Sequence, residues 1–146
     1  MRIYVASSWR NEYQQGVVQR LRRDGHDVYD FKNPSPGNHG FHWSEIDDAW
    51  RQWTTTEFES ALKNPIAVNG YFCDMDALMS ADATVLVLPC GRSAHLEAGW
   101  AAGRGKTLII FIPTLQEPEL MYKMADLVTD DLEAIARFVK MEELKP

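Results

Sequence analysis

Glu97, Asp74 and Arg10 are the residues of this 146-residue sequence whose types and neighbours suit chemistry. Paired carboxylates in unlike environments are the apparatus of glycosyl transfer. One attacks or stabilises an oxocarbenium-like centre while the other handles the leaving group's proton. Glu97 stands in Pro89-Cys90-Gly91-Arg92-Ser93-Ala94-His95-Leu96-Glu97-Ala98-Gly99, and Asp74 opens Asp74-Met75-Asp76. In Ala6-Ser7-Ser8-Trp9-Arg10, small hydroxyl residues ahead of a helix leave backbone N–H groups free for a phosphate, and Arg10 adds a fork for bidentate oxygen binding. Each feature also has a plainer meaning. Ser7 and Ser8 with Arg10 describe an ordinary serine cap beside a solvent-facing arginine. Glu97, one turn into a helix, is what any helix dipole prefers, and Asp74 reads equally as an N-cap.

The other reactive residue types carry less. Gly91 permits a tight turn and Ser93 can cap the helix after it, while Gly99 and Gly103, four apart, suit close helix–sheet packing. His39 and His42 are three apart but lack Cys or carboxylate partners at metal-ligand spacing, so no metal is expected. His26 is a strand-edge residue, and His95, close to Glu97, reads as a satisfied surface side chain. Cys90 falls at a strand end near a helix N-terminus, where thiols can be activated, but the sequence shows no clear histidine base for it. There is no Walker lysine motif, no GxGxxG after the first strand and no GxSxG elbow.

The elements that must position these residues alternate along the chain. Ile3–Ala6 is a short strand, followed by a helix from about Asn11 to Arg23 with Val17, Val18 and Leu21 on its apolar face and Asp24-Gly25 at its end. His26–Asp30 alternates as a second strand. Thr84–Leu88 is continuously apolar or β-branched, as a strand buried on both faces would be. Helix Ala94–Gly103, strand Thr107–Ile112, a short helix over Glu119–Ala125, strand Leu127–Thr129 and helix Asp131–Glu143 complete the series. Strand alternating with helix means parallel pairing and crossovers, so the expected fold is α/β, a single doubly wound, flavodoxin-like, five-stranded parallel sheet with helices on both faces. One stretch, about residues 34–69, breaks the alternation. It has no strand signal but holds Trp43, Trp50 and Trp53, with Ser44 and Thr54–Thr56 as cap signals. An insertion of this length is a lid or binding wall, or an extra helical pair that its tryptophans pack onto the sheet, and it can be both.

Composition narrows the partners. Lys plus Arg number 15 against 21 Asp plus Glu, a formal net charge of -6, which argues against a nucleic-acid polymer as partner. Two cysteines outside any CxxC pair make neither a disulfide framework nor a zinc site and suit a reduced, cytoplasmic compartment. The first residues lack the apolar run of a signal peptide, and no stretch approaches the roughly 18 apolar residues of a membrane span.

Taken together, these residues resemble a family. Ile3-Tyr4-Val5-Ala6-Ser7-Ser8-Trp9-Arg10 is similar to the first strand and loop of nucleotide N-glycosidases related to nucleoside 2-deoxyribosyltransferases. Asp74, followed by Ala81-Asp82 and a buried strand, resembles the second block. Ser93–Gly99, with Glu97 before Ala98-Gly99-Trp100-Ala101 and then Gly105-Lys106, resembles the third. The blocks occur in order with matching spacing. The resemblance implies that Glu97 is the nucleophile at C1′ and that Asp74 assists the nucleobase. It also implies that Tyr4, Ser7, Ser8, Trp9, Arg10, Gly91, Arg92 and Ser93 hold the sugar and phosphate. No cofactor is implied. A neighbouring subunit of a homodimer is expected to complete the site through Pro118–Met124, here Met121, Tyr122 and Met124. Departures are visible: the approach to the glutamate lacks the transferases' Asp-Gly-rich character, and the tryptophan-bearing insertion matches neither branch. Arg10 looks more like the monophosphate hydrolases. The expected activity is hydrolysis of a nucleoside 5′-monophosphate to free base. Base exchange by a 2-deoxyribosyltransferase and a non-catalytic nucleotide-binding or sensing module are the alternatives. An FMN-binding flavodoxin is weakened by the absence of a Thr-rich phosphate cradle.

Overall fold

Four short runs rich in apolar residues and one alternating segment, Asp27–Asp30, become the strands β1 (Arg2–Ala6), β2 (Asp27–Asp30), β3 (Ala83–Val87), β4 (Thr107–Phe111) and β5 (Leu127–Thr129). They pair in the order β2-β1-β3-β4-β5, every pair parallel. The helices are α1 (Gln14–Arg23), α2 (Thr55–Ala61), α3 (Pro65–Ser80), α4 (Arg92–Gly103) and α5 (Leu132–Glu143). This computed structural model describes residues 1–146. The chain divides into two units, Met1–Asp30 with Ser80–Pro146, and Phe31–Met79.

The first unit is the doubly wound sheet. Alternation along each strand sends Ile3, Val5, Val28, Val85, Val87, Ile109 and Phe111 to one face, against Val17, Val18 and Leu21 of α1 and Ile135 and Val139 of α5. The opposite face carries Tyr4, Leu86, Leu108 and Ile110, all buried, and α4 packs on β1, β3 and β4 with Ala94, Ala98 and Ala101 buried. Small alanines, not glycines, permit that packing. A Cβ added at Gly99 or Gly103 would meet no atom within 4 Å, which corrects the expectation that those glycines allow close approach. The central strand β3 is buried along its whole length, which is why its sequence shows no alternation. From β1 the chain winds outward to β2 on one side, and from β3 to β4 on the other. The strand order therefore reverses between β1 and β3, and the crevice beyond their carboxyl ends is where such folds hold ligands.

Two helix starts differ from the sequence reading. Helix α1 begins at Gln14, because Asn11 Oδ1 accepts the N–H groups of Tyr13 (2.7 Å) and Gln14 (2.8 Å) and so caps the helix from outside it. Helix α4 begins at Arg92, two residues earlier than expected, with extended Gly91 as its N-cap and no side-chain cap bond. Ser93 therefore lies within the first turn and does not cap it.

The second unit holds the stretch that broke the alternation, and its limits reach beyond 34–69. It contains 3₁₀ turns at Trp43–Glu45 and Trp50–Gln52, then α2 and most of α3. Trp43 packs edge-on against Phe41 (4.7 Å between centroids), Trp53 (5.6 Å) and Phe58 (5.7 Å). Thr54 caps α2 as expected: its hydroxyl accepts Glu57 N–H, and the Glu57 carboxylate accepts Thr54 N–H at 2.6 Å. At the Trp43 turn the cap is His42, whose N–H donates to Glu45 at 2.8 Å, and not Ser44. Only glycine fits at position 70, where a Cβ would stand 2.9 Å from that of Phe41. No helix of the chain is long and apolar enough to cross a membrane.

Candidate active site

The loops after β1 and β3 are bolted together. Ser7 Oγ–H donates to the Val87 carbonyl at 2.7 Å, and Asn11 Nδ2–H donates to the carbonyls of Val87 (3.3 Å) and Pro89 (2.9 Å). Asn11 is buried, so one amide caps α1 and fixes the end of β3 at once. Sequence reasoning missed this residue, although an Asn three places before a helix is a recognisable cap signal. Two further ties set the start of α1. Gln14 and Gln15 donate side-chain N–H groups to the two oxygens of buried Asp30 at the end of β2, at 2.8 and 2.9 Å. Tyr13 and Thr114 hydroxyls meet at 3.3 Å, joining the same loop to the one after β4.

This bracing decides what the first loop offers a ligand. The Ser7 proton is engaged by Val87, leaving the hydroxyl lone pairs for a ligand. Ser8 is half-buried, while Trp9 and Arg10 are exposed. Tyr4 is fully buried, with its ring stacked on Tyr29 at 5.2 Å, so it supports the crevice from within the sheet and presents no surface to a ligand.

Glu97 lies in the second turn of α4 and is half-buried. Three residues after Ala94 and four before Ala101, it flanks the stripe that packs on the sheet. The first turn of α4 contains no acidic residue, so Glu97 is too deep in the helix to serve as a dipole partner. Its charge is felt by Cys90: burial first, and the Glu97 carboxylate second, push that thiol up to about 12. At neutral pH such a thiol is ionised to only about 1 part in 10⁵. The structure does bring a histidine to Cys90, with Sγ 3.6 Å from His95 Nδ1. The same Nδ1 lies 2.8 Å from the Gly91 carbonyl, which can only accept, so Nδ1 carries a hydrogen and is no base for the thiol. The Cys90 thiol therefore stays protonated at neutral pH.

The remaining predicted residues are distributed as follows. Gly91, Arg92 and Ser93 are exposed at the start of α4. Tyr122, in the 3₁₀ turn Leu120–Met124, is half-buried against its own chain, with its hydroxyl 2.9 Å from His95 Nε2, and Met121 and Met124 are exposed. Asp74 lies past the middle of α3 and is half-buried, so it is not an N-cap. Within the second unit, Trp43, Trp50, Trp53 and Phe58, with Arg51, line an open groove of about 430 Å³, and the Arg51 guanidinium lies 4.3 Å over the Trp50 ring. Trp43 and Trp53 thus join an aromatic cluster, and all three tryptophans wall the groove. No three His, Cys, Asp or Glu side chains converge closely enough to hold a metal ion.

No protein-family model and no curated protein matches this sequence. Solved structures do. A 2-deoxyribosyltransferase from the psychrotolerant bacterium Bacillus psychrosaccharolyticus superposes with a TM-score of 0.60 at 22% identity, covering 92% of this chain and 90% of that one. The CMP N-glycosidase BcmB of Clostridium botulinum superposes with a TM-score of 0.52 at 13% identity, covering 96% and 99%. At these identities the likeness is one of fold, over nearly the whole length of all three chains.

Proposed function

We propose that this chain cleaves the N-glycosidic bond of a nucleoside 5′-monophosphate and releases the free base, with Glu97 as nucleophile. The observation that carries this reading is the half-buried Glu97 carboxylate on the helix that follows β3, beside a thiol that stays protonated. In the first step a Glu97 oxygen bonds to C1′ as the C1′–N bond breaks, and the bond's electron pair leaves with the base. The base takes a proton as it departs, and Asp74 is assigned to it. Water then attacks C1′, the glycosyl ester is released as sugar 5-phosphate, and the Glu97 carboxylate is regenerated. Arg10, with Ser8 and Ser93, is assigned to the phosphate, and Ser7, whose own proton is held by Val87, to accept from a sugar hydroxyl; the bracing of the first loop by Asn11 supports that assignment.

A second reading, transfer of a deoxyribosyl group to another base, is favoured by the stronger structural likeness to a transferase than to a glycosidase. One experiment separates the readings. Each common nucleoside monophosphate and nucleoside is incubated with the protein and the products are resolved by chromatography, first alone and then with a second free base. Free base plus sugar phosphate from a monophosphate is the expected result. A new nucleoside would move the assignment to transfer. Saturable nucleotide binding with no base released at high protein concentration would sink the enzymatic reading altogether.

A second copy of the chain is the partner assigned to the exposed apolar residues Leu120, Met121 and Met124 of the 3₁₀ turn, with Leu115 in the loop before it. Sedimentation should give twice the chain mass at micromolar concentration. A fully active monomer would remove the partner from the scheme.

A further inference from the structure

Both ring nitrogens of His95 are taken by protein groups, although the side chain is exposed and water could serve either. Nδ1 lies 2.8 Å from the Gly91 carbonyl oxygen and Nε2 lies 2.9 Å from the Tyr122 hydroxyl, with the two rings stacked at 5.9 Å. Because a carbonyl only accepts, Nδ1 carries the hydrogen. In the neutral ring Nε2 is then a bare lone pair, and the phenol must donate to it. The bonds therefore run in one direction, from Tyr122 O–H to Nε2 and from Nδ1–H to Gly91. Burial is the main influence on the phenol, with Cys90 and Glu119 adding to it, and all three push its ionisation upward, which keeps it a donor.

The receiving carbonyl is a sensitive one. Gly91 is the N-cap of α4, and the same oxygen accepts the backbone N–H of His95 at 3.4 Å, a long bond in the first helical turn. A glycine cap with no side-chain bond leaves that turn free to fray. Glu97 follows two residues after His95 on the same helix. We propose that Tyr122 and His95 form an intrachain clamp on the start of α4, which makes Tyr122 a positioning residue for Glu97 of its own chain. The resemblance gives the Tyr122 segment to a neighbouring subunit, whereas the hydrogen bond here closes within one chain. The clamp's value to catalysis rests on the reading of Glu97 as nucleophile, and the clamp itself does not.

Nitrogen-15 NMR of the imidazole side chains tests it without substrate. Neutral His95 should be the Nδ1–H tautomer in the full-length protein. Tyr122→Phe, which keeps the ring and loses the hydroxyl, should relax that preference and speed amide exchange at Ala94–Glu97. His95→Asn, which can still donate near the Nδ1 position, should retain slow exchange better than His95→Ala. With a substrate in hand, Tyr122→Phe should lower kcat about tenfold while KM changes less than about twofold, since a displaced nucleophile slows the chemical step more than binding. An Nε2–H tautomer in the wild type, or unchanged exchange in Tyr122→Phe, overturns the clamp. Wild-type kcat in Tyr122→Phe overturns its positioning role. A locked tautomer that loosens in Tyr122→Phe, together with no base release from any nucleotide, overturns the glycosidase reading and upholds the clamp.

Discussion

Glu97→Gln is expected to lower base release at least about 10³-fold, roughly 4 kcal/mol of transition-state stabilisation, with nucleotide affinity within about threefold of wild type. The amide has the shape of the carboxylate but no charge and little nucleophilicity, so the substrate still seats while no bond to C1′ forms. The same variant carries an internal check that needs no substrate. The Glu97 charge is one of the two causes that hold the Cys90 thiol up near 12, the other and larger being burial. A negative neighbour disfavours a thiolate, so removing it must lower the thiol's pKa and raise the thiolate fraction at any fixed pH below 12. Alkylation of Cys90 at pH 9, followed by mass spectrometry, should therefore be faster in Glu97→Gln than in wild type. Calorimetry supplies the affinity and chromatography the turnover. Wild-type turnover in the variant would remove Glu97 as nucleophile. Unchanged alkylation would mean that its carboxylate does not act on the thiol.

What the sequence showed of this arrangement depended on whether the signal was local. The central strands were legible because a parallel strand buried on both faces, as β3 is, needs an unbroken β-branched and aliphatic run; the edge strand Leu127–Thr129, though only partly buried, was bounded as the structure has it. The cap of α5 was legible too, since Asp131 accepts the Glu133 N–H at 2.8 Å through ordinary capping chemistry. The start of α4 was not. Ser93 has the chemistry of a cap, but the chain turns helical at Arg92, after an N-cap, Gly91, whose role is set by its extended backbone and not by a side chain. The start of α3 was also hidden, because its residues are apolar around most of the helix, with Tyr71, Phe72 and Met79 exposed, so no period marked where it began. Asp74 was consequently read as a first residue when it lies deep in the helix. Asn11 and His95 show the other limit. Their partners at Pro89 and Tyr122 are 78 and 27 residues away, and only the assembled sheet brings them within hydrogen-bond reach.

Arg10→Ala should discriminate between substrates that differ only by a phosphate. Arg10 is exposed on the loop after β1, and Ser7 and Asn11 hold that loop to the end of β3, so its backbone is placed while its side chain is available. A guanidinium bound to a phosphate through two N–H donors loses both bonds on truncation. Hydrogen bonds to charged groups contribute about 1.5–3 kcal/mol each, so losing both predicts a fall in kcat/KM for the monophosphate of at least about 150-fold. The matching nucleoside, which has no phosphate to lose, should change by less than about twofold. Part of the loss should appear in kcat, because a phosphate held at one end of the sugar helps keep C1′ over the nucleophile at the other. Arg10→Lys keeps the charge without the fork and should recover only part of the difference, and the wild-type preference for the monophosphate should shrink as salt is raised. Arg92, exposed in the first turn of α4, is the competing cation. If Arg92→Ala erased the preference while Arg10→Ala left it intact, the phosphate would belong at the helix start. An equal loss on nucleotide and nucleoside in Arg10→Ala would instead make Arg10 a structural residue of the loop.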